Sequence, residues 1–155
     1  MQTTYRPRWS LVLLSSLVFP ALFGLVFAAL SRSVFGAVVG ALLTFGLVAS
    51  RMRRRSLTVH EDGMTAQRDA YKISVKWSDL VEVRRDKLGG LVPLDVMVFS
   101  RSELEPVDAR GKVRRSVPPK VTEVGADRRI QVGVYVRDWR ESPIGRAVAA
   151  TGFQA

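Results

Sequence analysis

The chain has 155 residues and no cysteine, which excludes disulfides, a thiolate metal site and a cysteine nucleophile. Its formal net charge is +10, yet residues 1–55 supply +7 of this through seven arginines and no acidic residue. Because residues 56–155 carry only +3, membrane orientation and anionic head groups explain the excess better than phosphodiester binding. We therefore predict that nucleic acid is not a partner.

Two apolar runs dominate the first third of the chain. Trp9–Leu30 and Val34–Ser50 are separated only by Ser31–Ser33. As helices they would rise about 33 Å and about 26 Å, close to the roughly 30 Å hydrocarbon core of a bilayer. We predict a transmembrane helical hairpin within residues 1–55, with helices at about 9–30 and 34–50. A cleaved signal peptide is the rival for the first run, but that run is long and a second follows at once.

Arginines flank the apolar runs unevenly. Two precede the first run, four follow the second, and Arg32 alone lies between them. The positive-inside rule then predicts a multi-pass protein of the bacterial inner membrane with both termini in the cytoplasm. The arginines after the second run are candidates for contact with anionic lipid or a partner, although any membrane helix can carry such a flank. They are Arg51, Arg53, Arg54 and Arg55.

Small residues recur four positions apart inside both runs. Gly24 and Ala28 share one face of the first predicted helix, and Gly36 and Gly40 share one face of the second. Small faces let helices approach closely in lipid, so these residues predict either packing within the hairpin or docking on another membrane protein. Neither run contains an acidic residue, a histidine or a lysine, which argues against a proton relay or transport site there.

After residue 55 the pattern becomes alternating, which is typical of half-buried strands. Strands are predicted around residues 57–60, 73–77, 81–83, 94–99 and 130–136, with turns at Glu61–Gly63 and Lys87–Gly90. Trp77 and Trp139 fall in apolar patterns and are predicted core residues. The chain then ends in a helix, with Ser142 as its N-cap, Pro143 as its first residue and Gly152 as its stop.

The stretch from Ser100 to Arg129 departs from this pattern. It holds prolines, glycines and many charges, and we predict a long loop at about 101–128 with at most one short strand around Val121–Val124. Arg114, Arg115 and Lys120 are candidates in this loop for contact with anionic lipid or an acidic partner. A solvated loop is the alternative, because nearby acidic residues dilute the positive charge.

No motif in the chain predicts catalysis, a cofactor or a metal. His60 is the only histidine and cannot make a metal site alone. The sequence contains no G-x-S-x-G, no G-x-x-x-x-G-K-[ST] and no G-x-G-x-x-G. We therefore expect no enzymatic activity and no cofactor.

Two segments and the tail resemble bacterial pleckstrin-homology-like domains. The segments are Leu57–Met64, with its D-G turn, and Ile73–Leu80, with W-x-x-L; the tail runs Val134–Trp139 and then Ser142–Gly145. The resemblance covers residues 56–155 apart from the long loop. It implies an α+β fold, namely a small antiparallel curled sheet or barrel of seven strands with a C-terminal helix, in a cytoplasmic domain.

These observations together predict a non-catalytic integral membrane protein. It would present a pleckstrin-homology-like binding domain at the cytoplasmic face for protein assembly or lipid contact. The alternative is an accessory subunit of a larger membrane complex, docked through its glycine-lined helices. The expected partners are the lipid bilayer and another membrane protein or complex.

Overall fold

The computed structural model describes residues 2–31, 34–88, 92–108, 110–123 and 128–152, and it combines helices with antiparallel sheets. The chain divides into two compact units. The helical unit is Pro7–Arg54, and the sheet unit is Met1–Arg6 together with Arg55–Ala155. The few residues at the start of the chain therefore belong with the sheets rather than with the helices that follow them.

The helical unit contains two long helices, α1 (Trp9–Ser31) and α2 (Val34–Arg53), which contact each other. A Cβ placed on Gly24 of α1 would lie 3.5 Å from the Cβ of Ala41 and 3.6 Å from the carbonyl oxygen of Ala37. Where α1 begins and α2 ends, the guanidinium carbon of Arg53 lies 5.8 Å from the centre of the Trp9 ring. The helices thus meet both in mid-length and at the basic end.

The sheet unit contains nine strands in the part of the chain that the structure describes. They form a six-stranded sheet in the order β1-β2-β3-β4-β7-β8 and a three-stranded sheet in the order β5-β6-β9, and every pairing is antiparallel. Their bounds are β1 Thr3–Tyr5, β2 Ser56–Val59, β3 Gly63–Gln67, β4 Tyr71–Lys76, β5 Leu80–Leu88, β6 Val92–Phe99, β7 Ser102–Pro106, β8 Lys120–Thr122 and β9 Arg129–Gln131.

Strand β1 was not predicted from the sequence. It pairs with β2 in the register Thr3 with Val59 and Tyr5 with Leu57. The chain therefore leaves the larger sheet after Tyr5 and re-enters it at Ser56, at the same end of this strand pair. The residues just before and just after the helical segment are therefore paired neighbours in the larger sheet.

The alternation predicted in the first strands is confirmed. Leu57 and Val59 of β2 are buried, and so are Ile73 and Val75 of β4. Trp77 is also buried, but it begins a 3₁₀ turn, Trp77–Asp79, instead of continuing the strand. The predicted turn after Lys87 lies partly outside the described residues, although β5 and β6 pair on either side of it.

The predicted strand over residues 130–136 is wrong beyond Gln131. Val132–Val134 forms a 3₁₀ turn, and all three of its residues are buried. Gly133 approaches β6 so closely that a Cβ would lie 3.0 Å from the backbone nitrogen of Asp95. The alternating valines therefore reflect burial on both sides of a tight turn, not the two faces of a strand.

The prediction of at most one short strand within residues 101–128 is also wrong. Both β7 and β8 form there, and β7 pairs with β4 on one side and β8 on the other. The sequence of β7, S-E-L-E-P, has a single apolar residue, Leu104. Its place in the sheet comes from backbone hydrogen bonds to two neighbours, which no apolar pattern reveals.

One core fills the sheet unit, and the C-terminal helix α3 (Pro143–Ala150) packs against it. The Ser142 hydroxyl accepts a hydrogen bond of 3.1 Å from the backbone nitrogen of Ile144, and Gly152 has a φ of 76°, so the predicted cap and stop are confirmed. The core residues are Leu57, Val59, Met64, Ala66, Ile73, Val75, Trp77, Met97, Phe99, Ile130, Val132, Trp139, Ile144 and Val148.

Candidate functional site

The helical unit exposes most of its described large apolar side chains. None of the residues of α2 is buried. Among the described residues, α2 is the one helix long and apolar enough to cross a bilayer, and the apolar stretch Pro20–Leu30 within α1 is shorter. The exposed side chains are Trp9, Leu17, Leu22, Phe23, Leu25, Val26, Leu30, Val34, Phe35, Val38, Val39, Leu42, Leu43, Phe45 and Leu47.

The small residues predicted for helix packing divide into two groups. Gly24 faces Ala37 and Ala41, so its face is used within the unit. Ala28, Gly36 and Gly40 are partly buried, and their role in docking a partner stays a prediction. Gly46 is exposed, and a Cβ there would meet nothing within 4 Å.

The arginines after α2 also have different surroundings. Arg51, Arg53 and Arg54 are exposed, and Arg53 lies over the Trp9 ring. Arg55 is partly buried, and its Nη2 lies 3.0 Å from Oδ2 of Asp69 within the sheet unit. A run that reads as four equivalent charges therefore contains one residue that is part of the sheet domain.

The basic residues predicted between β7 and β8 are exposed. They are Arg114, Arg115 and Lys120, the last of which begins β8. The start of this connection is ordered by Asp108, whose Oδ1 accepts hydrogen bonds from the backbone nitrogens of Arg110 and Lys112 at 2.8 Å and 2.9 Å. These bonds, that from Lys112 above all, lower the pKa of Asp108.

A cleft of about 290 Å³ lies in the sheet unit, and sequence reasoning did not find it. We call it the arginine cleft. It is lined by Arg55, Ala66, Arg68, Asp69, Ala70, Tyr71, Ile130, Gln131, Val134 and Tyr135. The residue before β2, the β3–β4 turn with its flanking strand residues, and the chain from β9 to Tyr135 bring these residues together.

Hydrogen bonds hold Arg68 at the wall of the arginine cleft. Its Nη2 donates to the backbone oxygen of Arg129 at 3.0 Å, and its Nη1 lies 3.4 Å from the hydroxyl of Tyr71. The guanidinium carbon is 6.0 Å from the centre of the Tyr71 ring. Arg68 thus bridges the β3–β4 turn and β9 and keeps its charge beside the opening.

The second arginine of the cleft is incompletely paired. Arg55 Nε and Asp69 Oδ1 are both buried and have no hydrogen-bond partner, although the two side chains share one contact. Burial raises the pKa of Tyr135, the nearby Arg55 and Arg68 act in the opposite direction, and Asp69 reinforces the rise. The phenol therefore lies within electrostatic reach of all three charged groups.

A second polar cluster fastens the C-terminal region to the three-stranded sheet. The indole nitrogen of Trp139 donates to Asp95 Oδ2 at 2.8 Å, and Arg140 Nη1 lies 3.6 Å from the same oxygen. Arg85 Nε lies 3.4 Å from Asp95 Oδ1. Because the Trp139 ring is in the core, this cluster helps to hold the fold together.

The surroundings of His60 are structural. Its backbone oxygen accepts a hydrogen bond of 3.2 Å from Trp77 Nε1, and its side chain is partly buried where β2 ends. Within the described ranges, no group of three or more histidine, cysteine, aspartate or glutamate residues is placed to hold a metal ion. The arginine cleft, whose lining includes two guanidinium groups and a carboxylate, is a candidate binding site in this unit.

Comparisons with protein-family models, with curated proteins and with solved structures found no match to this chain. The resemblance to pleckstrin-homology-like domains accordingly depends on the residues quoted for it above and stays a prediction. Two surfaces of the chain bear on its function, namely the exposed apolar helices and the arginine cleft.

Proposed function

We propose that this chain is a non-catalytic integral membrane protein. In this proposal α1 and α2 form a transmembrane hairpin, and the sheet unit is a pleckstrin-homology-like binding domain at the cytoplasmic face. The domain serves protein assembly or lipid contact, and the hairpin confines it to the membrane surface. Confinement raises the effective concentration of a weakly binding module near its partner.

The exposed apolar surface of the helices carries the proposal. Val34 is 82% exposed and Phe35 is 78% exposed, and α2 buries none of its residues. Soluble proteins seldom leave an apolar patch of this extent in water, whereas lipid accommodates it without cost. The arginines at the end of α2 suit the interface between lipid head groups and cytoplasm.

The chain path supports a hairpin with both ends on one side. Tyr5 and Leu57 are paired neighbours in the sheet, so the segments that enter and leave the helical unit start from adjacent positions. A pair of spans returns the chain to the side from which it departed, whereas a single span does not. The arginines before α1 and after α2 favour the cytoplasm as that side.

The arrangement of the strands supports the pleckstrin-homology-like part of the proposal. Two antiparallel sheets enclose one core, and a C-terminal helix packs against it. Apart from the three-residue strands at the two edges of the larger sheet, β1 and β8, seven strands remain. A difference is that β7 returns to pair with β4, so the strands do not follow one another in a simple meander.

Extraction of membranes at alkaline pH tests the proposal. The full chain should stay in the membrane pellet after carbonate treatment and should be released only by detergent. Release of the folded chain by carbonate alone would contradict a spanning hairpin. The variant Leu43→Arg, which places a charge on an exposed position of α2, should shift the chain from the pellet.

The alternative, an accessory subunit of a larger membrane complex, is favoured by one observation. Gly24 of α1 packs on the face of α2 that carries Ala37 and Ala41. The exposed apolar side chains on the rest of α2 stay available to a partner helix. The paired substitutions Gly36→Leu and Gly40→Leu should then remove stoichiometric partners from material purified in mild detergent. A small homogeneous species from the unsubstituted chain would contradict this alternative.

A further inference from the structure

The arginine cleft has the features of a site for a small anion. Two guanidinium groups, Arg55 and Arg68, and one carboxylate, Asp69, line it, so its formal charge is +1. Tyr135 and Gln131 add a phenol and an amide, both of which can donate hydrogen bonds. Guanidinium groups with hydroxyl and amide donors are the usual partners of phosphate and carboxylate oxygens.

The incomplete pairing of Arg55 and Asp69 indicates which functional groups a ligand of the arginine cleft would carry. Arg55 Nε is a buried donor without an acceptor, and Asp69 Oδ1 is a buried acceptor without a donor. Buried polar groups are normally paired, so these two atoms would be satisfied by a ligand that brings one acceptor and one donor. A ligand with an oxyanion and a neighbouring hydroxyl would supply both, after a small rotation of the two side chains.

The rest of the lining sets the size of the ligand. Ala66, Ala70, Ile130 and Val134 form an apolar part of the wall, and the volume of about 290 Å³ is close to the lower limit of small-molecule sites. The cleft thus suits a phosphate ester with a short hydroxylated body. A nucleotide would need more room.

We propose that the arginine cleft binds a hydroxyl-bearing phosphate ester of the glycerol phosphate type, with Arg55 and Arg68 on the phosphate and Asp69 on the hydroxyl. This names the ligand for the binding domain of the proposed function, but it depends on the sheet unit alone. The same chemistry occurs in the head group of phosphatidylglycerol and in soluble glycerol phosphate. The connection of Arg55 to α2 through a single residue, Arg54, is compatible with either source.

The first experiment titrates the full chain, held in nanodiscs of phosphatidylcholine, with sn-glycerol 3-phosphate and, separately, with inorganic phosphate in a calorimeter. A second experiment uses native mass spectrometry of the full chain to compare retained phosphatidylglycerol with retained phosphatidylcholine. Binding of glycerol 3-phosphate more tightly than inorganic phosphate supports a soluble ligand, and selective retention of phosphatidylglycerol supports a lipid head group. Failure of both, or equal binding of inorganic phosphate, would overturn the proposal.

Two arginine variants distinguish binding in the cleft from attraction to positive charge in general. Arg55→Gln should weaken binding about tenfold or more, because it removes a charged hydrogen-bond donor. Arg54→Gln is the matched control, since Arg54 is adjacent and exposed and does not line the cleft, and it should leave binding unchanged. An equal loss from the two variants would mean that charge near the membrane, not the cleft, binds the ligand.

A third variant guards against misfolding. Arg68 also bonds the backbone of Arg129, so its substitution affects the fold as well as the site. Tyr135→Phe removes one oxygen and keeps the ring, and it should weaken binding several-fold at unchanged thermal stability near neutral pH. Unchanged binding in both Tyr135→Phe and Arg55→Gln would overturn the proposal. Because carbonate extraction does not depend on the cleft, its outcome separates failure of this site from failure of the membrane assignment.

Discussion

The two units of the chain place their apolar side chains in opposite ways. In the sheet unit Phe99 and Trp139 are 0% and 1% exposed, whereas in the helical unit Leu30 and Phe35 are each 78% exposed. Burial of such a side chain contributes about 1.5–3 kcal/mol relative to exposure in water. The sheet unit therefore obtains this stabilisation from its own core, whereas the exposed apolar side chains of the helical unit do not obtain it from the fold of that unit.

The difference teaches that an apolar composition has two structural meanings. Apolar residues at alternating positions with lysines and serine between and after them, as in Tyr71–Lys76, form a strand with one buried and one more exposed face. A helix with apolar residues around most of its circumference, as in Val34–Arg53, has no polar face to present to water. Matched substitutions in the two units test this contrast.

The largest effect is expected in the core of the sheet unit. Trp139→Ala removes a fully buried ring and leaves Asp95 without its indole donor, so it should lower the free energy of unfolding by about 3–5 kcal/mol. Denaturant unfolding of the full chain in detergent measures this loss. Trp9→Ala is the partner substitution in the helical unit, where the ring is 64% exposed, and it should leave the stability of the sheet unit unchanged. Similar losses of sheet-unit stability in Trp139→Ala and Trp9→Ala would contradict the difference between the two units.

The next effect compares two exposed apolar residues. Leu43→Arg on α2 should make membrane insertion less favourable by about 2.5–3.5 kcal/mol, because a charge near the middle of a span is costly in lipid. Val81→Arg on β5, where Val81 is 58% exposed, should have no effect on the membrane-bound fraction. Quantifying the fraction of chain in carbonate-washed membranes distinguishes them, and retention of both variants would contradict the membrane role of α2.

A smaller effect is expected at the start of α3. Ser142→Ala removes the hydroxyl that caps the Ile144 backbone nitrogen and should destabilise the sheet unit by about 1 kcal/mol. Ser116→Ala, in the exposed connection between β7 and β8, is the control and should change the unfolding midpoint little. A loss at Ser142 equal to that at Ser116 would show that the cap does not stabilise the helix.

The smallest effect is a dependence on alkaline pH. Burial raises the pKa of Tyr135, so the folded state favours the neutral phenol over the phenolate. Its contribution to stability is complete below the ordinary tyrosine pKa of about 10 and is lost as the pH rises through the higher pKa of the folded state. Tyr135→Phe should therefore lose less stability than the native chain between neutral pH and pH values above 10. Parallel unfolding curves for the two chains across this range would contradict the burial effect.

Patterns along the sequence predicted the elements whose signal is local. The long helices, the alternation in β2 and β4 and the cap at Ser142 all follow from neighbouring residues. Strand β1 did not, because Thr3–Tyr5 is too short to show a pattern and depends on its pairing with β2. Strand β7 was missed for the related reason that its pairing with β4 and β8 is not visible in its largely polar sequence.

The arginine cleft could not be predicted in the same way. Arg55, Arg68 and Tyr135 lie on separate elements, and only the tertiary fold brings them together. The basic run suggested that Arg55 belongs with its neighbours, whereas its carboxylate partner is Asp69 in the β3–β4 turn. Charge patterning along the chain therefore identified the residue but not its site.

The central claim is that the helices carry the chain across the membrane twice and leave the sheet unit in the cytoplasm. Because the chain has no cysteine, single cysteines can be labelled without background. Ser33→Cys, between the helices, should react with a membrane-impermeant maleimide in intact spheroplasts. Val117→Cys, at an exposed position between β7 and β8, should react only after lysis. Labelling of Val117→Cys in intact spheroplasts, or equal labelling of the two positions, would contradict the claim.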